Sequence, residues 1–274
     1  MTPTPRLIAV LAASSALAAL GACNLSTDLD PDDIDVGIAV VEMADNGGGN
    51  FVAHPEVQFA RNAFFSVENS AARGDACGGP QAIPTGGGGA GTIEFLDAGP
   101  TLSWQQGANN TQLVKLVNGT VITYTAPSPA GIAATPGALV TLTVPGADPG
   151  FPAMAVTARL AEPLTGIGPI NPNPAAGQGL ALSWTPTTTA NDSAKVEFRI
   201  QYSTSGTTPT DEVICRLDDD GAFTVDNGQL FGWRNAQAGS RRVIASRYRS
   251  TIVVQGDVQL AFISSFPVTK TTFP

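Results

Sequence analysis

Apolar and polar side chains alternate with a period of two along several short stretches of the chain. The clearest stretch is residues 195–202, where apolar side chains fall on one face and charged or amide side chains on the other. The apolar positions are Val196, Phe198, Ile200 and Tyr202. Because residues i and i+2 of a strand share a face, this pattern predicts a half-buried strand. Residues 140–144 and 154–160 alternate in the same way and predict two more strands.

Turn-forming dipeptides separate several of these stretches. They are Asn118-Gly119, Asn227-Gly228 and Gly256-Asp257. Asn, Asp and Gly tolerate the positive φ that tight hairpin turns require. Strands that recur every eight to twelve residues or so, with turns between them, are typical of β-sandwiches. We therefore predict an all-β fold that forms one large sandwich or two small ones.

Residues 55–73 fit two patterns. Helical spacing is shown by Val57, Ala60, Phe64, Val67 and Ala71. Strand spacing is shown by Val57, Phe59, Ala63, Phe65 and Val67. Periodicity does not choose between helix and strand here, and the aromatic and β-branched content favours a strand.

The two halves of the chain echo each other. Leu102-Ser103-Trp104 and Leu182-Ser183-Trp184 each precede a polar loop and a further strand, and residues 165–179 between them are rich in Pro, Gly and Asn. The offset is about the length of one small sandwich. We therefore predict an N-terminal β domain at residues 51–164 and a second domain at 165–274.

One part of the second half resembles the B and C strands of a fibronectin type III or related immunoglobulin-like module. It consists of Leu182-Ser183-Trp184-Thr185-Pro186 and the alternating strand at 195–202. The resemblance implies that residues 165–274 form an immunoglobulin-like β-sandwich. The later run Arg241-Arg242-Val243-Ile244 has no obvious place in that pattern.

Charged residues make up only 14% of the chain, and its net charge is −9 at pH 7. Acidic side chains without a basic partner are concentrated early in the chain, at Asp28, Asp30, Asp32, Asp33, Asp35, Glu42 and Asp45. With Gly47-Gly48-Gly49 behind them, they predict a disordered tether at residues 23–50. Val36–Met43 is apolar enough to form a first strand, in which case the tether ends near Asp35. We expect no nucleic-acid partner for so acidic a chain.

The first residues predict export from the cytoplasm. Arg6 precedes an apolar run, Leu7–Leu20, which ends at Leu20-Gly21-Ala22-Cys23. The run is shorter than the roughly twenty residues of a membrane-spanning helix and is typical of a cleaved signal. The tetrapeptide resembles a bacterial lipobox, and the alternative is an ordinary signal peptide that ends near a cysteine.

The lipobox resemblance implies that residues 1–22 are removed and that Cys23 is acylated. Acyl chains on Cys23 would anchor the protein to membrane lipid. Asn24 follows the cysteine where an Asp would signal retention in the inner membrane. The resemblance therefore implies an outer-membrane lipoprotein.

Cys77 and Cys215 are the other cysteines of the chain. In an exported protein such a pair predicts a disulfide, which would staple the two halves together. Two separate buried thiols are the alternative.

The residues with catalytic or ligand-binding potential are few. His54 is the only histidine, no Gly-x-Ser-x-Gly motif is present, and the remaining His and Cys residues do not make up a zinc set, so we expect no cofactor. Asp218 and Asp220 could ligate calcium, but Asp218-Asp219-Asp220-Gly221 is also ordinary hairpin-turn chemistry, which is favoured. A basic cluster, Arg241, Arg242, Arg247 and Arg249, would face lipid head groups, a polyanionic glycan or, by default, solvent.

Two functions remain open. The first is a non-catalytic binding or structural role at the bacterial surface, with an envelope protein or a glycan as partner. The second is an envelope hydrolase or carbohydrate-active protein that uses a carboxylate pair. Exposed aromatic side chains would favour binding, whereas a pocket with two carboxyls about 5–9.5 Å apart would favour hydrolysis.

Overall fold

The computed structural model describes residues 35–61, 75–79, 81–82, 94–187 and 194–270. This part of the chain is built almost entirely from β-strands, with one four-residue α-helix and two 3-10 turns, so the all-β prediction is confirmed. The strands are β1 (Asp35–Asp45), β2 (Phe51–Arg61), β3 (Ala76–Cys77), β4 (Gln81–Ala82), β5 (Glu94–Phe95), β6 (Thr101–Gln106), β7 (Asn109–Asn118), β8 (Val121–Thr125), β9 (Ile132–Ala133), β10 (Leu139–Val144), β11 (Met154–Arg159), β12 (Leu180–Ser183), β13 (Lys195–Tyr202), β14 (Asp211–Asp218), β15 (Ala222–Val225), β16 (Arg242–Gln255) and β17 (Val258–Lys270). The helix is α1 (Phe231–Arg234), and the 3-10 turns are Asn227–Leu230 and Ala238–Ser240.

One large sheet contains all strands except two. Its order is β11-β10-β6-β7-β8-β2-β1-β17-β16-β13-β14-β3, with β4 paired to β14 and both β5 and β9 paired to β2. The strand β11 packs against β16 and β17, so the sheet curls back on itself. The remaining strands, β12 and β15, form a separate antiparallel pair.

The predicted hairpin turns have mixed outcomes. Tight antiparallel hairpins occur at two of them: Gly119-Thr120 connects Asn118, the last residue of β7, to β8, and Gly256-Asp257 connects β16 to β17. Both glycines adopt positive φ, +61° and +59° respectively, as such turns require. The prediction is wrong for Asn227-Gly228, which begins a 3-10 turn. The preceding strand, β15, pairs with β12 and not with the strand that follows it.

The strand β1 lies in the middle of the large sheet. It pairs antiparallel with β2 and parallel with β17, and its side chains at Ala39, Val41 and Met43, all on one face, are buried in the first of two hydrophobic cores. A segment that is paired at both edges and buried on one face is an integral strand. Residues 35–50 therefore do not belong to the tether that we predict for residues 23–50.

The ambiguous stretch at residues 55–73 is a strand as far as it is described. The strand β2 continues to Arg61, and residues 62–73 lie outside the described part of the chain.

Two hydrophobic cores divide the molecule. The large side chains of the first core include Met43, Phe59, Leu102, Trp104, Leu113, Tyr124, Leu142, Phe151, Leu160 and Phe262. Those of the second core include Leu182, Trp184, Phe198, Ile200, Tyr202, Leu217, Leu230 and Trp233. The chain passes from the first core to the second between Ala161 and Leu164, close to the predicted boundary at residue 164.

The hairpin of β16 and β17 belongs to both cores. The first half of β16, residues 242–248, pairs with β13, whereas residues 258–265 of β17 pair with β1. Val243 and Ala245 accordingly pack in the second core, and Leu260 and Phe262 pack in the first. The prediction that residues 165–274 form a separate domain is therefore wrong for the last strand, because β17 completes the sheet around the first core.

The second core lies between two sheets. The pair of β12 and β15 faces β14, β13 and β16, and the rings of Trp184 and Phe198 pack between them with centroids 5.4 Å apart. The predicted linker at 165–179 is partly integrated into this sandwich, because Thr165 bridges Thr185 and the Gly168 amide donates to the Ser183 carbonyl at 2.9 Å. The unplaced run at 241–244 leads into β16, which begins at its second residue, Arg242.

A buried ion pair holds the junction between the cores. Arg247 on β16 donates from Nε to the Asp219 carboxylate at 2.8 Å, and both side chains are 4% exposed. The same guanidinium donates to the carbonyls of Pro163 and Thr185, at 2.9 and 2.8 Å. Asp219 in turn accepts a hydrogen bond from Trp184 Nε1 at 2.8 Å. The pair thus ties β16, the connection between the cores and the second sandwich to one point.

We expect Arg247→Met to destabilise the protein strongly, because it leaves the Asp219 carboxylate buried without its cation. Breaking a buried pair from one side typically costs about 3–5 kcal/mol. Arg216→Met is the control, since the Arg216–Glu197 pair has side chains 39% and 16% exposed and such pairs contribute about 1 kcal/mol or less. Urea unfolding of both variants checks the difference, and equal losses would contradict the account of the junction.

A disulfide joins Cys77 to Cys215 across 138 residues of sequence, so the predicted bridge is confirmed. The two-residue strand β3, which follows the first-core strand β2 in the chain, is thereby fastened to β14 at the edge of the second sandwich. The Gly78 amide also donates to the Ile214 carbonyl at 2.7 Å, and Gln229 Nε2 donates to the Cys77 carbonyl at 3.0 Å. The bridge therefore staples the two halves together.

We expect the double variant Cys77→Ser/Cys215→Ser to lose stability, because the unfolded chain regains the entropy that the crosslink removes. For so long a loop the chain-entropy model gives a loss of up to about 5 kcal/mol. Cys23→Ser, which keeps the disulfide, is the matched control in urea unfolding. An unchanged midpoint in the double variant would show that the bridge adds nothing to stability.

Candidate functional site

Three connections meet at the end of the second sandwich where β16 begins. They are residues 171–179 before β12, residues 203–210 between β13 and β14, and residues 226–241 between β15 and β16. We refer to them together as the terminal loop cluster. Hydrogen bonds join all three, and an aromatic side chain projects from their centre.

The helix α1 turns its two aromatic side chains in opposite directions. Trp233 is fully buried in the second core, whereas Phe231 is 75% exposed. Gly232 lies against the ring of Tyr202, which is itself buried, and a Cβ at this position would come within 2.3 Å of the ring. Burial raises the pKa of the Tyr202 phenol, and the nearby Asp211 charge adds to this effect. The close contact fixes the turn against the sandwich while Phe231 faces outward.

Arg234 ties α1 to the neighbouring connection. Its guanidinium donates to the carbonyls of Pro174 at 3.2 Å and Asn227 at 3.3 Å, and also to the carbonyl of Gln178. Asn235 caps the same turn, since its Nδ2 donates to the Phe231 carbonyl at 2.9 Å. The donors of Arg234 are thus used to hold backbone in place.

Arg241 supports α1 from beneath. It is 8% exposed, its Nε donates to the Trp233 carbonyl and its Nη2 to the Arg234 carbonyl, both at 3.0 Å. Its guanidinium carbon lies 5.5 Å from the centre of the Trp233 ring, within range of a cation–π contact. Burial lowers the pKa of the Arg241 guanidinium. A third bond, from Nη1 to Asn173 Oδ1 at 3.2 Å, reaches the first connection.

Ser240 joins the remaining connection to the others. Its Oγ accepts a hydrogen bond from the Ser203 amide at 2.8 Å and lies 2.9 Å from the Ser203 carbonyl. The Gln237 amide donates to the same carbonyl at 2.9 Å. Each of the three connections is therefore fixed by hydrogen bonds, and those of Ser240 with Ser203 are buried.

Neutral hydrogen-bonding side chains dominate the exposed surface of the cluster. They are Asn171, Asn173, Gln178, Thr204, Ser205, Thr207, Thr208, Thr210, Asn227, Asn235 and Gln237. Asp226 is the only charged side chain in the exposed class among residues 171–179, 203–210 and 226–241, all of which the structure describes. The site therefore presents one aromatic ring within a polar surface of low charge.

The two residues considered for calcium, Asp218 and Asp220, have hydrogen-bonding partners within the protein. Asp218 pairs with Lys195, and an Asp220 carboxylate oxygen accepts from the Ala222 amide at 3.3 Å. No group of three or more metal-ligating side chains occurs in the described ranges. Asp218–Gly221 is a turn, as favoured, but it carries the chain from β14 to β15 in the other sheet and is not a hairpin.

The predicted basic cluster is not a binding surface. Arg247 and Arg249 are only 3% and 4% exposed, and Arg249 makes a bidentate pair with Glu162 at 2.9 and 2.8 Å. Arg242 donates to Gln201 Oε1. The expectation that the cluster faces solvent, lipid or a polyanion is therefore wrong for Arg241, Arg247 and Arg249, because carboxylates and carbonyls inside the protein take up their donors, whereas Arg242 is half-buried.

A shallow groove of about 810 Å³ opens at the far end of the first core, between Asn50, Gln106, Asn109 and Thr135. Neither a carboxylate nor His54 is among its lining residues. His54 lies half-buried on β2, opposite Glu42 of β1. Nothing in this groove favours the carboxylate chemistry of a glycoside hydrolase.

Cys23 lies outside the described residues. Within the described residues, no helix is both long and apolar enough to cross a membrane. No protein-family model matches the chain, and a search of curated proteins finds no significant match. The leader and the terminal loop cluster are the features of the chain that bear on its function.

We expect Gly232→Ala to disturb the terminal loop cluster, because the added methyl would collide with the buried Tyr202 ring. Overpacking of this kind typically costs about 1–3 kcal/mol. Gly228→Ala is the matched control, since nothing lies within 4 Å of a Cβ built there. Thermal unfolding and amide hydrogen exchange across residues 227–241 check the effect. Equal behaviour of the two variants would show that the contact with Tyr202 does not constrain the turn.

Proposed function

We propose that the protein is a lipid-anchored protein of the bacterial outer membrane with a non-catalytic binding role, which displays the terminal loop cluster away from the lipid. The observation that carries this proposal is the position of Asp35. Its amide donates to the Asp257 carbonyl at 3.1 Å, at the turn between β16 and β17. The chain thus enters the folded body at the end opposite the terminal loop cluster.

The length of β16 sets the distance between the terminal loop cluster and the point where the chain enters the folded body. It runs from Arg242, directly after the cluster, to Gln255, next to the turn where the chain enters. Fourteen residues at about 3.3 Å each span about 45 Å. If the anchor is attached on the Asp35 side, Phe231 lies several tens of ångströms from the point where the anchored segment joins the folded body.

The leader supports lipid attachment. Eleven residues separate Cys23 from Asp35, and a chain of this length can reach at most about 40 Å. Acyl chains on Cys23 would then supply the membrane affinity, and the acidic residues between would keep the connection solvated.

The disulfide and the second sandwich support an extracytoplasmic binding module. Structural disulfides persist in oxidising compartments such as the periplasm and the cell surface. We propose that the second sandwich is immunoglobulin-like, since β12 and β13 lie in different sheets with Trp184 packed between them, as the B and C strands of such modules do. Modules of this kind cluster their loops at the ends of the sandwich, where the terminal loop cluster lies.

The anchor is tested by growing cells that express the full chain with an alkyne-tagged palmitate. We expect the wild-type chain to incorporate the label and to sediment with outer membranes, and Cys23→Ser to lose both properties. Cys77→Ser/Cys215→Ser should keep the label, because those thiols are remote from the leader. A labelled Cys23→Ser variant, or an unlabelled wild-type chain free in the medium, would overturn the proposal.

The orientation is tested with the lipidated chain in liposomes that carry a headgroup quencher. A fluorophore is attached at Asp257→Cys in one variant and at Gly228→Cys in another. We expect stronger quenching at position 257, because this turn lies beside the point where the chain enters. Equal or reversed quenching would show that the body does not stand with the loop cluster outward.

A further inference from the structure

We propose that the terminal loop cluster binds a neutral glycan chain, with the ring of Phe231 as the platform on which a sugar stacks. The inference rests on the proposed function only for the direction in which the cluster faces. Binding itself is a property of the folded body and can be measured without a membrane.

The exposed ring is the first reason. Phe231 is the only aromatic residue among the exposed large hydrophobic side chains of the described residues. The others are the aliphatic side chains Val40, Leu116, Val117, Leu139, Ile252 and Val254, all on strands. A pyranose ring has an apolar face of C–H groups, which packs on a flat aromatic surface better than on branched aliphatic groups.

The groups around the ring are the second reason. Hydroxyls of a neutral sugar need both donors and acceptors, and amide and hydroxyl side chains supply both. The exposed amides of Asn227 and Asn235 flank Phe231 in sequence. The exposed amide of Gln178 lies in the connection of residues 171–179, whose backbone Arg234 holds. These groups match a polyhydroxylated ligand.

The charged side chains of the terminal loop cluster favour a neutral glycan over an anionic one. The guanidinium groups of Arg234 and Arg241 bind backbone carbonyls and are therefore committed to the fold. The exposed charged side chain of the cluster is Asp226, which repels anions. A sulfated or uronic-acid polymer would meet no exposed basic residue here, and the net charge of −9 adds long-range repulsion.

Rigidity is the third reason. The loops that carry an exposed ring are held by Arg234, Arg241 and Ser240, and Gly232 fixes the turn against Tyr202. Binding then requires little further ordering of the loops, so little free energy is lost to it. This matters for a ligand that makes few contacts. A protein partner fits less well, because a stable interface needs about 1,000 Å² with an apolar centre and this surface offers a single ring.

The experiment uses the mature full-length chain purified in detergent, with cellohexaose, chitohexaose and maltohexaose as probes. Saturation-transfer NMR detects contact, and titration calorimetry gives the dissociation constant. We expect the wild-type chain to bind at least one hexasaccharide. Phe231→Ala should weaken binding by about tenfold, as expected for loss of a central aromatic contact, and Phe231→Tyr should retain it.

Val254→Thr is the matched control, because Val254 is 68% exposed and lies at the opposite end of β16. This variant should bind as the wild type does. Thermal unfolding of every variant separates loss of binding from loss of fold, and Phe231→Ala should melt normally because its side chain is exposed.

Three results would overturn the inference: no binding of any hexasaccharide by the wild-type chain, equal binding by Phe231→Ala, or a preference for heparin over all three probes. A Phe231-dependent protein partner without hexasaccharide binding would assign the ring to a protein interface and would also overturn it. The Cys23→Ser chain separates the two proposals, because it should lack the lipid and still bind hexasaccharides as the wild type does. A wild-type chain that binds a hexasaccharide but incorporates no palmitate would leave the glycan site standing while the anchor fails.

Discussion

The hairpin of β16 and β17 is the constraint on which the rest of the structure depends. The first half of β16 pairs with β13, and the first half of β17 pairs with β1. The register of the hairpin therefore fixes both hydrophobic cores at once. A register slip of one residue would turn Val243 and Leu260 outward together. The two halves of this protein are therefore not independent units joined by a linker, although each has its own core.

Charge is used in the interior of this protein more than its composition suggests. Only 14% of its residues are charged, yet Arg247, Arg249 and Arg241 are nearly fully buried. Each lies on or directly before β16 and donates to carboxylates or carbonyls of other segments. Arginine suits this role because its planar group offers five donors in a fixed geometry. The junction and the terminal loop cluster thus share one method of fixing irregular backbone.

The sequence predicted what depends on local pattern. Alternation identified β13, and glycine-containing dipeptides identified the turns before β8 and β17, because these signals act between near neighbours in the chain. The parallel pairing of β1 with β17 joins segments more than two hundred residues apart, and no local signal encodes it. The burial of the arginines and the exposure of Phe231 were missed for the same reason. A run such as Leu230-Phe231-Gly232-Trp233 does not reveal which of its large side chains the sandwich covers.

The parallel alignment of β1 and β17 has a mechanical consequence. A force applied between Asp35 and the terminal loop cluster, at the other end of β16, acts along the strands and across their hydrogen bonds. The bonds that join β1 to β2 and β17 are then loaded simultaneously in shear instead of opening one after another. A body pulled through its first strand in this way resists extension.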